Sequence, residues 1–117
     1  MKALLQVVRV IAWLSLLFIF VLSVVPHQLR PQTGAPHDFE HFASFAICGF
    51  AFGLGYRSRL PFVAAALVLF AGVVEVVQIA VPGRHARLED FIVDGIAACV
   101  SALVAGMLAS RALDSRV

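Results

Sequence analysis

The stretch LPFVAAALVLFAGVVEVVQIAV, residues 60–81, decides the fold. It is apolar all round except for Glu75 and Gln78 near its end. A helix needs about 20 such residues to cross a bilayer. A helix without a polar face belongs in lipid or at the centre of a much larger protein. A carboxylate inside such a run is costly, and an ionisable residue within a membrane span marks a functional site by default. Outward from this stretch lie three more runs of the same kind: Leu4 to Val25 with Arg9 one to two turns in, about Phe39 to Tyr56, and about Leu88 to Ser110. Of the 117 residues 62% are hydrophobic, whereas a soluble domain has about 45–50%. So short a chain cannot cover four helices that lack polar stripes. The sequence therefore predicts an all-α, polytopic membrane protein, a compact bundle of four transmembrane helices in one domain, at about 4–25, 39–56, 60–81 and 88–110.

The first run has Lys2 and Arg9 like the head of a signal peptide, but Ser23-Val24-Val25-Pro26 lacks the small-x-small cleavage pattern, so an uncleaved helix is expected. Pro26, Pro31, Gly34 and Pro36 mark residues 26–38 as an irregular loop. Arg57-Ser58-Arg59 makes a tight turn, and residues 82–87 a short polar loop. With four spans, the N-terminus, the 57–59 turn and the C-terminus share one side. They hold six cations, Lys2, Arg9, Arg57, Arg59, Arg111 and Arg116, against Arg30, Arg84 and Arg87 opposite. The positive-inside rule then places both termini in the cytoplasm. A net charge of +2 without a basic run excludes a nucleic-acid partner. Cys48 and Cys99 sit inside apolar runs, with neither metal spacing nor a disulfide framework. They read as small buried hydrophobes, and no cofactor motif is present.

The four-span map gathers the remaining polar residues on one side. Asp38 and His41 open the second helix, and Glu75 and Gln78 lie near the end of the third. Arg84, His85, Arg87, Glu89, Asp90 and Asp94 occupy the last loop and the start of the fourth. The pairs Asp38/His41 and Glu75/Gln78 are i, i+3, and Arg87, Asp90 and Asp94 form one stripe, so each set shares a helix face. At about 1.5 Å per residue, Glu75 should lie roughly 10 Å below its helix end at Pro82, the deepest of the group. Its natural partners are Arg84, Arg87 or His41. Ala98, Ala102, Gly106 and Ser110 continue the Asp94 stripe, and the second helix carries Gly49-x-x-x-Gly53. Such small-residue patterns let membrane helices approach closely. They serve packing within one chain and between copies equally well, so a homo-oligomer is compatible with them.

Several readings compete for this cluster. A buried Glu-Arg-Asp-His network could merely fix the packing of the bundle. His41, Glu75, Asp90 and Asp94 are the right atom types for a metal, but no compact ligand motif joins them, and no metal is expected. Ser44 lies near His41 without a nucleophile-elbow pattern around it. The sharpest reading is an outward pocket made by His41, Glu75, Gln78, Arg84, Arg87, Asp90 and Asp94. The guanidinium forks of Arg84 and Arg87 would hold a phosphate or carboxylate. If the pocket is instead catalytic, His41, Glu75 and Asp90 are the candidates, with His41 as general acid or base.

The motifs Glu40-His41-Phe42-Ala43-Ser44-Phe45, Glu75-Val76-Val77-Gln78 and Pro82-Gly83-Arg84, followed by Asp90 and Gly95, resemble the VanZ-like family of small bacterial membrane proteins, named for a teicoplanin-resistance accessory protein. The resemblance covers about residues 36–106. It departs from the family pattern at His37 and Asp38, where the family often has Asp-Lys, and at Asp94, where it often has Asn. The resemblance implies a single VanZ-like transmembrane domain tied to the cell envelope or to glycopeptide resistance. A lipid-linked envelope precursor or a glycopeptide is then the expected ligand, bound within the bilayer.

Overall fold

The computed structural model of the chain describes residues 2–24, 37–80 and 88–114, and at positions 37, 38 and 41 the backbone alone. Four helices run in order: α1 (Lys2–Val24), α2 (His37–Gly55), α3 (Leu60–Ile79) and α4 (Leu88–Asp114). A single 3-10 turn, Arg57–Arg59, joins α2 to α3. Pro61 sits in the first turn of α3, where its missing N–H deprives the helix of nothing. Helix α4 extends one turn past Ser110, because nothing between Arg111 and Asp114 breaks a helix.

The bundle wears its apolar side chains outward. Only 17% of the apolar window of α1 is buried inside the protein; Leu4, Leu14, Leu17 and Phe18 all face outward. The same holds for Phe62, Leu69 and Val76 on α3 and for Ile96, Val100 and Leu108 on α4. Apolar surface on this scale belongs against lipid rather than water. Helices α1, α3 (with its leading turn) and α4 are each long and apolar enough to cross a membrane. The apolar part of α2 is shorter, Phe42–Gly55, since its first turn carries the polar residues. The chain is a helical membrane protein.

Inside, α4 is the central helix. It packs along α2 and α3, α1 packs on α2, and α2 barely touches α3. The α2–α4 seam is the tightest. A methyl group added to Gly49 would fall 2.8 Å from the Ala98 Cα, and one on Gly53 would fall 2.7 Å from the Ala102 Cα. Two parallel helices thus meet backbone to backbone through small residues, gaining dispersion contacts that lipid cannot supply. Both glycine–alanine pairs have the same offset, so one turn further along Phe45 comes level with Asp94, and a second turn brings position 41 level with Asp90. Helix α3 lies antiparallel to α4: Gly72 packs under the Phe91 ring, Gly95 faces Val68, and the Cys99 thiol donates to the Ala64 carbonyl at 3.6 Å.

Helix α1 is fastened to the end of α2. Arg9 Nε donates to the Gly55 carbonyl at 2.9 Å, and the guanidinium lies 4.7 Å from the centre of the Tyr56 ring. The Trp13 indole N–H donates to the Tyr56 hydroxyl at 3.0 Å, and its ring meets Phe52 edge-on at 5.3 Å. The last carbonyls of a helix lack intrahelical partners, so Arg9 caps α2 from a different helix.

Three substitutions test this packing. Gly49→Ala should destabilise the bundle in detergent by about 1–3 kcal/mol through overpacking. Gly95→Ala, whose methyl would rest 4.0 Å from Val68, should leave the melting temperature nearly unchanged. Arg9→Gln should lower stability by about 1.5–3 kcal/mol, the worth of a hydrogen bond to a charged group, as followed by thermal unfolding in the same detergent.

Candidate functional site

Among the described residues four polar side chains are buried: Ser23 at 3% exposure, Glu75 at 8%, Gln78 at 3% and Asp94 at 1%. They come from α1, α3 and α4, and all four lie toward one end of the bundle. Each prolongs an apolar contact stripe of its own helix. Ser23 follows Ala12 and Ile19 on α1, Glu75 and Gln78 follow Leu67, Ala71 and Val74 on α3, and Asp94 precedes Ala98 and Ala102 on α4. A polar group therefore takes each place where the helical repeat calls for an apolar one.

The helix registers set the depths. Antiparallel packing brings Glu75 level with the start of α4 near Leu88, and Asp94 lies six residues further in, about 9 Å at 1.5 Å per residue. Asp94, not Glu75, is the deepest acid. Helix α3 ends at Ile79, so Glu75 is only one turn from its end, while Asp94 occupies the α2–α4 seam beside the Phe45 level. Carrying the α1–α2 contacts of Arg9 and Trp13 along the helices puts Ser23 level with position 41. The band from Gln78 to Asp94 is about 14 Å high at 1.5 Å per residue.

Two carboxylate oxygens in this band are sealed. Glu75 Oε1 and Asp94 Oδ1 are both closed off from solvent, and burying a carboxylate is tolerated only with compensating contacts. The Ser23 hydroxyl donates to the Ile19 carbonyl at 2.6 Å, so what it offers across the bundle is an acceptor. The Ser44 hydroxyl donates to the Glu40 carbonyl at 2.8 Å, which commits its proton to its own helix and leaves it unsuited as a nucleophile. Asp90 is half-buried and Glu89 exposed. The backbone of His41 lies in the first half of α2, its side chain outside the described residues. Arg84, His85 and Arg87 lie outside the described residues altogether. Among the described residues, no group of three or more His, Cys, Asp and Glu side chains converges as metal ligands would.

Charge is segregated along the bundle. Among the described side chains the cations Lys2, Arg9, Arg57, Arg59 and Arg111 stand at the end opposite the band, with Asp114 the one acid beside them. The remaining described acids, Glu40, Glu75, Glu89, Asp90 and Asp94, lie toward the polar end. No family model, characterised protein or solved structure matches this chain significantly.

Sequence reasoning brought out Glu75, Gln78 and Asp94 and missed Ser23. The signal was present, since Ser23 falls on the same helical line as Ala12 and Ile19. Asp94→Ala should destabilise the protein by about 1–3 kcal/mol by leaving a buried polar site incomplete, whereas Glu89→Ala should stay within about 0.5 kcal/mol, as exposed substitutions do. Paired thermal melts in detergent check both.

Proposed function

We propose that the chain is a VanZ-like protein of the bacterial inner membrane, with both termini cytoplasmic and the polar band opening outward. The band takes the polar or anionic headgroup of a lipid-linked envelope precursor, or a glycopeptide, and so serves envelope homeostasis or antibiotic resistance. One observation carries this reading. Among the described residues four buried polar side chains from three helices, two of them the motif residues Glu75 and Gln78, are gathered in one band, with Asp90 at the same end, in a core that is otherwise apolar. Buried polar groups in a membrane are retained where they contact one another, a ligand or a pathway. Arg84 and Arg87, which fall between α3 and α4 in the sequence, are the guanidinium donors for a phosphate or carboxylate. Glu75, Gln78 and Asp94 line and orient the site, and His41 and Asp90 share one level at its α2–α4 side.

A second reading has its own observation. Asp94 is nearly inaccessible and lies on the tightest helix seam, which suits a group that fixes register rather than one that meets a ligand. Glu75→Gln together with Arg84→Lys separates the two. The pocket reading expects an unchanged melting temperature and a lost envelope phenotype, such as altered glycopeptide susceptibility. Parallel loss of stability and phenotype would overturn it in favour of the register role.

A further inference from the structure

The end of the bundle away from the polar band carries a feature of a different kind. Helices α1 and α3 each pack mainly on a partner other than one another, and between them lies a groove of about 230 Å³. Its walls are Trp13, Phe62, Leu67 and Phe70, and Tyr56 and Arg59 stand at its mouth. The groove descends from Arg59 to Phe70 on α3, roughly 16 Å at 1.5 Å per residue. That is close to one leaflet of a bilayer whose hydrocarbon core is about 30 Å thick.

Charge selects the occupant. Arg9, the neighbouring cation, is already committed to the Gly55 carbonyl and the Tyr56 ring. Arg59 sits exposed in the 3-10 turn, and among the described residues its guanidinium has no hydrogen-bond or ion-pair partner. At the same end of the bundle lie Lys2, Arg57 and Arg111, with Asp114 the one acid there among the described residues. An apolar slot of acyl-chain length below an uncommitted guanidinium, in a strongly cationic collar, has the chemistry of an anionic lipid site.

We propose that the α1–α3 groove binds an anionic phospholipid of the leaflet at that end, with one acyl chain along Phe62, Leu67 and Phe70 and its phosphate on Arg59. This site is separate from the polar band and stands whether or not that band takes a ligand.

Trp13 is the only tryptophan in the chain and lines this groove, so its fluorescence reports on the groove over a background from the lipid that its exposed edge meets. The full chain is reconstituted in phosphatidylcholine vesicles containing a fixed fraction of acyl-brominated lipid, either phosphatidylglycerol or phosphatidylcholine. Quenching by brominated phosphatidylglycerol should exceed that by brominated phosphatidylcholine at least twofold. The excess should shrink at high salt, vanish in Arg59→Gln, and persist in Arg59→Lys and in Arg57→Gln, whose residue lines a different groove. Equal quenching by the two lipids overturns the proposal, as does an excess that survives Arg59→Gln. Weak quenching by both, with disulfide cross-linking of Phe62→Cys between chains, would mean that a second copy covers the groove, and overturns it as well.

Discussion

Everything in this bundle depends on how closely α2 and α4 approach. Gly49 and Gly53 lie against the backbone of Ala98 and Ala102, with no room for a methyl group between. Lipid tails are as apolar as any side chain, so helices in a membrane gain little from hiding apolar surface and must gain from contact itself. The glycine–alanine seam supplies that contact, and it leaves no freedom to slide. Once it is closed, the level of Asp94 against Phe45 and of Asp90 against position 41 follows without further choice. Helices α1 and α3 then settle on either side of this pair, and the polar ends of three helices reach the same height.

Much of this could be read from the residues. Four apolar runs with no polar face leave little alternative to four membrane helices, and the direction of each follows from counting. That count alone puts Glu75, Gln78, Asp90 and Asp94 toward one end. The small-residue stripe through Ala98 and Ala102 announced the seam, while Gly106 further along it packs against Leu60 of α3. Depth was not legible, because it depends on where α3 stops and α4 begins, and the apolar run continues past Ile79 without a signal. Ser23 was overlooked since a serine in an apolar helix can bond its own i−4 carbonyl, as this one does, and so passes for a neutral residue. Arg9 passed for a topological charge. Its acceptor is a backbone carbonyl 46 positions away, and a carbonyl leaves no trace in a sequence.

The two ends of the molecule solve opposite problems. At one, carboxylates and an amide are drawn inside and closed off, so their energetics depend on neighbours within the protein. At the other, arginines stay at the rim, where water and lipid headgroups supply counter-charges. Among the described residues the one arginine taken inward, Arg9, is held by a carbonyl oxygen and an aromatic face, both of which accept a cation without needing a second charge. The Tyr56 ring that meets the guanidinium is itself held by Phe52, which stacks on it, and by the Trp13 indole N–H, which donates to its hydroxyl.

The uneven packing also divides the molecule mechanically. The α2–α4 pair behaves as one stiff plank, since any relative slide drives backbone into backbone at two places. Helices α1 and α3 are lighter staves: α1 touches the plank mainly through α2, α3 mainly through α4, and the two share little contact with each other. Of the buried polar residues, Asp94 rides on the plank while Ser23, Glu75 and Gln78 ride on the staves. The band is thus built across the seams between plank and staves, so any substitution that reseats a stave also resets the distance between its carboxylates.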